Sequence, residues 1–246
     1  MGKQRTGDEH IMFDGMPIGH LLSDYWAWNS SDLLINTERG SFSEFIVSSA
    51  LDLDLSGTRE DWGPYDVFFP FRWTQDGAER DAVHIEVKSA AYLQSWEQSK
   101  LSNIIFSIRP ARAWDPETGY RGEVKRQSDV YVFCHYTQKD RSKADPLVLD
   151  DWDFYVISTK KLDEVCGAQK TISLASLQLL GPIRADYSGI KEAIIHCIHG
   201  YECTPPPGIL HNFCISVLCI ITKQLRLDGA AFPAIFIFIF GPYTGD

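Results

Sequence analysis

The sequence predicts an α/β domain with a central mixed β-sheet flanked by helices. Ala82 to Ser89 alternates apolar and polar residues strictly, as a strand with one buried face does. Segments such as Ser41 to Leu51 instead repeat apolar residues at helical spacing, and the two patterns interleave along the chain. With 246 residues, 44% of them hydrophobic and 23% charged, the chain can bury a core. That composition excludes collagenous, coiled-coil and wholly disordered classes.

Residues 1–37 read as an irregular lead-in anchored by Tyr25, Trp26 and Trp28. From Ser41, a candidate N-cap, Phe42, Phe45, Ile46 and Ala50 mark a helix to Leu51. Glu44 shares a face with Val47 and Leu51, so its carboxylate sits among apolar neighbours and needs a cationic or hydrogen-bonding partner. Tyr65 to Phe71 reads as a strand, Asp76-Gly77 as a turn, and Ala82 to Ser89 as the returning strand of a hairpin. Period-two alternation puts Val83, Ile85 and Val87 on one side of that strand and His84, Glu86 and Lys88 on the other.

Leu93 to Ile108 mixes helical spacing with an Ile104-Ile105-Phe106 run, predicting a short helix and then a strand. Strands are expected at Val130–Tyr136 and Phe154–Ser158. Helices follow from Thr159 to Val165, from Ser173 to Leu180 and from Gly189 to Ile198. Residues 38–199 thus form the domain.

The net charge of −10 argues against binding nucleic acid through bulk basicity. Its distribution is uneven. Residues 1–99 carry seven basic and seventeen acidic side chains, whereas 100–126 carry six and three. That one basic stretch holds Lys100, Arg109, Arg112, Arg121, Lys125 and Arg126 around Trp114 and Tyr120, a mixture that suits phosphates and stacked bases, or else a solvated loop.

Charged residues fall from 51 in the first 199 positions to five in the last 47, so 200–246 reads as an atypical apolar tail. Its apolar runs are too short to span a bilayer as helices, and no membrane partner is expected. Six cysteines without a regular framework and a polar N-terminus point to a reduced, cytoplasmic protein. His196, Cys197, His199, Cys203, His211, Cys214 and Cys219 crowd together, but without the paired CxxC spacing of a zinc module.

Pro64-Tyr65-Asp66 is followed by Ile85-Glu86-Val87-Lys88, with 19 residues between Asp66 and Glu86. With Glu44 on the preceding helix, this order resembles the PD-(D/E)xK, or restriction-endonuclease-like, nuclease superfamily. A second acidic-x-Lys triplet, Glu123-Val124-Lys125, lies in a Gly- and Arg-rich segment without alternating apolar partners, so context favours Glu86 and Lys88.

The resemblance implies a restriction-endonuclease-like core and Mg²⁺-dependent hydrolysis of DNA phosphodiesters, as an endonuclease, with Mn²⁺ as a substitute. It implies that Asp66, Glu86 and the Val87 carbonyl hold the ion, that Glu44 holds a second ion or its water, and that Lys88 orients the attacking water. Hard oxygen donors suit Mg²⁺, and an ammonium suits charge building on a phosphoryl group. Arg109, Arg112, Arg121, Lys125 and Arg126 would then contact the DNA backbone. The resemblance also raises a homodimer pairing two sites across a duplex, although no residues mark its interface. The plain alternative for Glu86 and Lys88 is an ion pair on an exposed sheet face, worth under ~1 kcal/mol. A catalytically inactive regulator that keeps this fold is the rival function.

Overall fold

A computed structural model describes residues 3–59, 63–115 and 119–200; the side chains of Asp115 and Arg121, and the tail from residue 201, lie outside the described residues. The chain forms β1 (His10–Phe13), β2 (Met16–Leu21), α1 (Leu22–Ser30), α2 (Asn36–Ala50), β3 (Val67–Phe69), β4 (Trp73–Gln75), β5 (Ala78–Arg80) and β6 (Val83–Ala91). It continues through β7 (Ile105–Ser107), β8 (Ala111–Asp115), β9 (Gly119–Lys125), β10 (Val130–Tyr136) and β11 (Trp152–Ser158). Last come α3 (Thr159–Cys166), β12 (Thr171–Ser173), α4 (Leu174–Leu179), β13 (Ile183–Ala185) and α5 (Ile190–Ile198).

The main sheet has five strands in the order β13-β11-β10-β6-β3. It is mixed, because β6 and β10 run parallel while the other neighbours run antiparallel. The alternation of β6 is realised: Val83, Ile85 and Val87 are buried against Ile46 and Val47 of α2 and Ile190 and Ile194 of α5. On the opposite face Tyr131, Phe133, Tyr155 and Ile157 pack with Leu162 of α3, Leu177 of α4 and Phe106 of β7. Both faces being covered, β10 is buried along its whole length, which explains its continuous apolar run.

Several sequence expectations are corrected here. The lead-in is not irregular: β1 and β2 form a hairpin across Asp14-Gly15, whose φ values of 45° and 73° suit that Asp-Gly pair. The Asp24 carboxylate then accepts the Leu21 N–H at 2.9 Å and fixes the start of α1. The next helix begins at Asn36, so Ser41 is interior and its hydroxyl donates to the Thr37 carbonyl. Asp76-Gly77 closes the small β4–β5 hairpin, not the β3–β6 pair. Strand β3 spans only three residues, short of Pro70, which has no N–H to offer a ladder.

No helix forms between Leu93 and Ile104. Gln98 takes over the local bonding there, accepting from the Gln94 N–H and donating to the Tyr92 carbonyl, while Arg141 donates to the carbonyls of Gln94 and Trp96. Gln94 and Gln98 thus brace this loop. The basic segment is not a loop but a two-stranded ribbon, β8 paired with β9. Ser158, one residue before the expected cap, caps α3, while Ser173 caps α4 as expected. The apolar tail and most of its cysteines and histidines lie outside the described residues.

Candidate active site

Register brings the motif residues together. Val67, Phe68 and Phe69 lie opposite Ile85, His84 and Val83, so Asp66, one residue earlier, falls beside Glu86. Its N–H donates to the Ile85 carbonyl at 3.0 Å, and its Oδ2 accepts the Val87 N–H at 2.8 Å. The carboxylate therefore extends the ladder past the first residue of β3. Within a strand the N–H and C=O of one residue face the same neighbour, so the Val87 carbonyl also opens toward Asp66.

Lys88 sits between the two acids. Its Nζ lies 2.6 Å from Glu86 Oε1 and 3.3 Å from Asp66 Oδ2. All three side chains are partly buried, at 28%, 21% and 24% exposure for Lys88, Glu86 and Asp66. Burial alone lowers the ammonium pKa, but Glu86 and Asp66 outweigh it and hold Lys88 at about 12. Burial raises the Glu86 pKa; Lys88 opposes that rise, while the charges of Asp66 and Glu44 add to it.

Glu44 meets the cation that its apolar face demanded. Arg59, from the polar loop after α2, binds it through two N–H groups, Nε to Oε2 at 2.6 Å and Nη2 to Oε1 at 2.8 Å. This fork-to-fork pairing fixes both groups. Arg59 also feels the charge of Asp66, so Glu44 and Arg59 belong to the electrostatic environment of the strand acids. No periodicity marks Arg59 in the sequence; its only signal was the unmet need of Glu44.

The region around His84 was equally hidden. His84 stacks on Tyr65, with ring centroids 4.1 Å apart and planes 4° apart. Asp129 brackets it, accepting the His84 N–H at 2.9 Å and donating its own N–H to the His84 carbonyl at 2.7 Å. Arg80 donates to the other Asp129 oxygen at 3.3 Å. Burial depresses the His84 pKa, Asp129 opposing and Arg80 reinforcing the shift.

Among the basic candidates, Arg109, Arg112 and Lys125 are exposed on or beside the β8–β9 ribbon. Arg121 occupies a backbone position opposite Ala113, its side chain lying outside the described residues. Arg126 is corrected. Its side chain is 0% exposed and donates to the carbonyls of Ile108, Gly167 and Gln169 and to Asp163, which leaves no face for a phosphate. The competing Glu123-Val124-Lys125 triplet is exposed on β9.

Asp66 and Glu86 converge on one positive point, the Lys88 ammonium. Among the described residues no group of three His, Cys, Asp or Glu side chains could hold a metal ion by itself, and Arg59 engages Glu44. Also among them, no helix is long and apolar enough to cross a membrane. Comparisons with protein-family models, curated proteins and solved structures gave no match to this chain.

Proposed function

We propose that the chain is a Mg²⁺-dependent deoxyribonuclease of the PD-(D/E)xK kind, cutting internal phosphodiester bonds from a restriction-endonuclease-like core. The observation that carries this reading is the meeting of Asp66 and Glu86 at the Lys88 ammonium, on two paired strands that follow a helix bearing Glu44. Asp66, Glu86 and the Val87 carbonyl would hold Mg²⁺ or Mn²⁺, and Glu44 a second ion or its water. The bound ion supplies charge neutralisation at the phosphoryl oxygens and a more acidic water. Lys88, an ammonium throughout the neutral range, orients the attacking water and stabilises the charge that builds on the phosphate. Asp66 keeps Lys88 aimed while bracing the Val87 amide. Arg109, Arg112, Arg121 and Lys125 would hold the DNA backbone, making binding strongly salt-dependent.

A second reading follows from the pairing itself. Lys88 bridges Asp66 and Glu86, and Arg59 binds Glu44, as a non-catalytic regulator with a self-neutralised cluster would require. Plasmid nicking with Mg²⁺ or Mn²⁺ separates the two. A nuclease nicks as wild type and fails as Lys88→Ala and as Asp66→Asn, the latter keeping an acceptor for the Val87 amide. A folded wild type as inert as both variants on every DNA form excludes the enzyme.

A further inference from the structure

We propose that Phe68, Tyr65 and His84 form a stacking platform for one unpaired nucleobase of the strand whose phosphate is cut at Asp66 and Glu86. This rests on the nuclease reading and assigns it a substrate class, a nucleic-acid strand locally out of its duplex.

The platform lies on the same sheet face as the acids. Phe68 and His84 are directly opposed across β3 and β6, and cross-strand partners point to the same side. Glu86 and Lys88 follow His84 at period two on that side. The rings form one cluster: Tyr65 lies 4.1 Å from His84 and 6.4 Å from Phe68, and Phe68 lies 6.0 Å from His84. His84 is the fixed floor, clasped by Asp129, whose charge Arg80 offsets. Phe68 is the open surface, an aromatic ring 51% exposed on the edge strand.

Position selects the occupant: a strand whose phosphate lies at Glu86 passes the open Phe68 ring on the same face, and only a base outside its duplex stack has a free π-face to lay on that ring. Every base has a π-face, so such a platform tolerates any sequence. Lys88, Arg59 and Arg80 are each already paired with a carboxylate, so the ring rather than charge supplies the affinity for the strand.

The test is fluorescence anisotropy in EDTA, so that cutting does not intrude, using the full chain and three probes: a short oligothymidylate, its abasic counterpart and a duplex of the same length. Phe68→Ala should weaken oligothymidylate binding about tenfold and leave the duplex unchanged. Phe68→Trp should restore affinity, and wild type should bind the abasic strand as weakly as Phe68→Ala binds oligothymidylate. Equal affinity of wild type and Phe68→Ala, indifference to the missing bases, or no oligonucleotide binding overturns the proposal. A change confined to self-association in sedimentation overturns it too, since a second copy then covers the edge. Base-dependent binding by a protein that nicks nothing refutes the nuclease and keeps the platform; nicking unaltered by Phe68→Ala with base-indifferent binding does the reverse.

Discussion

Arg126 and Lys88 are both cations held against carboxylates, and their surroundings differ in the quantity that separates structure from chemistry. Around Arg126 one guanidinium meets three carbonyls and Asp163, so every polar group present is satisfied by one positive charge. It lies at the C-terminal end of α3, where Gly167 and Gln169 offer carbonyls and the helix dipole favours a cation. Around Lys88 and Arg59, three carboxylates share two cations, and burial already penalises one of the acids. The first arrangement closes on itself. The second leaves one carboxylate more than its cations, the imbalance on which the proposed nuclease reading would draw.

The largest effect should come from breaking the closed arrangement. Arg126→Met leaves the three carbonyls without their donor, and urea denaturation should show a loss of about 3 kcal/mol or more. A smaller loss would place Arg126 with the surface arginines and weaken the contrast. Lys88→Ala should lower the nicking rate at least about 100-fold while the melting temperature moves little, as expected of a partly exposed group.

A buried histidine sharpens the comparison further. His135 is 3% exposed, neither ring nitrogen has a hydrogen-bond partner among the described residues, and burial brings its pKa down to about 4. Between pH 6.5 and about 4 the unfolded chain takes up a proton that the folded one refuses. Stability should therefore fall with pH through that window, by about 3 kcal/mol at most, and His135→Phe should flatten the fall in urea melts.

The smallest effect belongs to Glu86. Its raised pKa means that the folded state binds the proton more tightly than the unfolded one. Its contribution is thus most favourable below the unfolded value near 4.5 and declines as pH rises through the folded value. Glu86→Gln should gain on wild type between pH 4 and 7 in the same melts. A gain for wild type instead would show that the Lys88 pair outweighs the burial of the carboxylate.

What the sequence revealed was local. The alternation of β6 placed Glu86 and Lys88 on one face because a two-residue period is a property of the strand itself. Strand β10, the Ser173 cap and α5 were legible for the same reason: pattern and environment agree. The central mixed sheet followed from those elements, while its five-strand count and the edge strand β13 did not. What stayed hidden was non-local. Arg59 reaches Glu44 across 15 positions, Asp129 reaches His84 across 45, and Arg141 braces the loop at Gln94 across 47. The basic stretch misled because composition does not distinguish Arg126, turned inward, from Arg109, turned outward. Asp14-Gly15 is a hairpin signal in the sequence, but β1 and β2 are almost wholly exposed and so carry no buried-face alternation to mark them as strands.

Strand β3 is three residues at the rim of the sheet, and a side-chain oxygen of Asp66 completes its pairing by taking the Val87 amide. A rim this short opens and recloses far more often than the interior, and each opening separates Asp66 from Glu86. Deuterium uptake at the Val87 amide would then be a clock for the intact site. Anything that requires Asp66 and Glu86 together must be finished between two ticks.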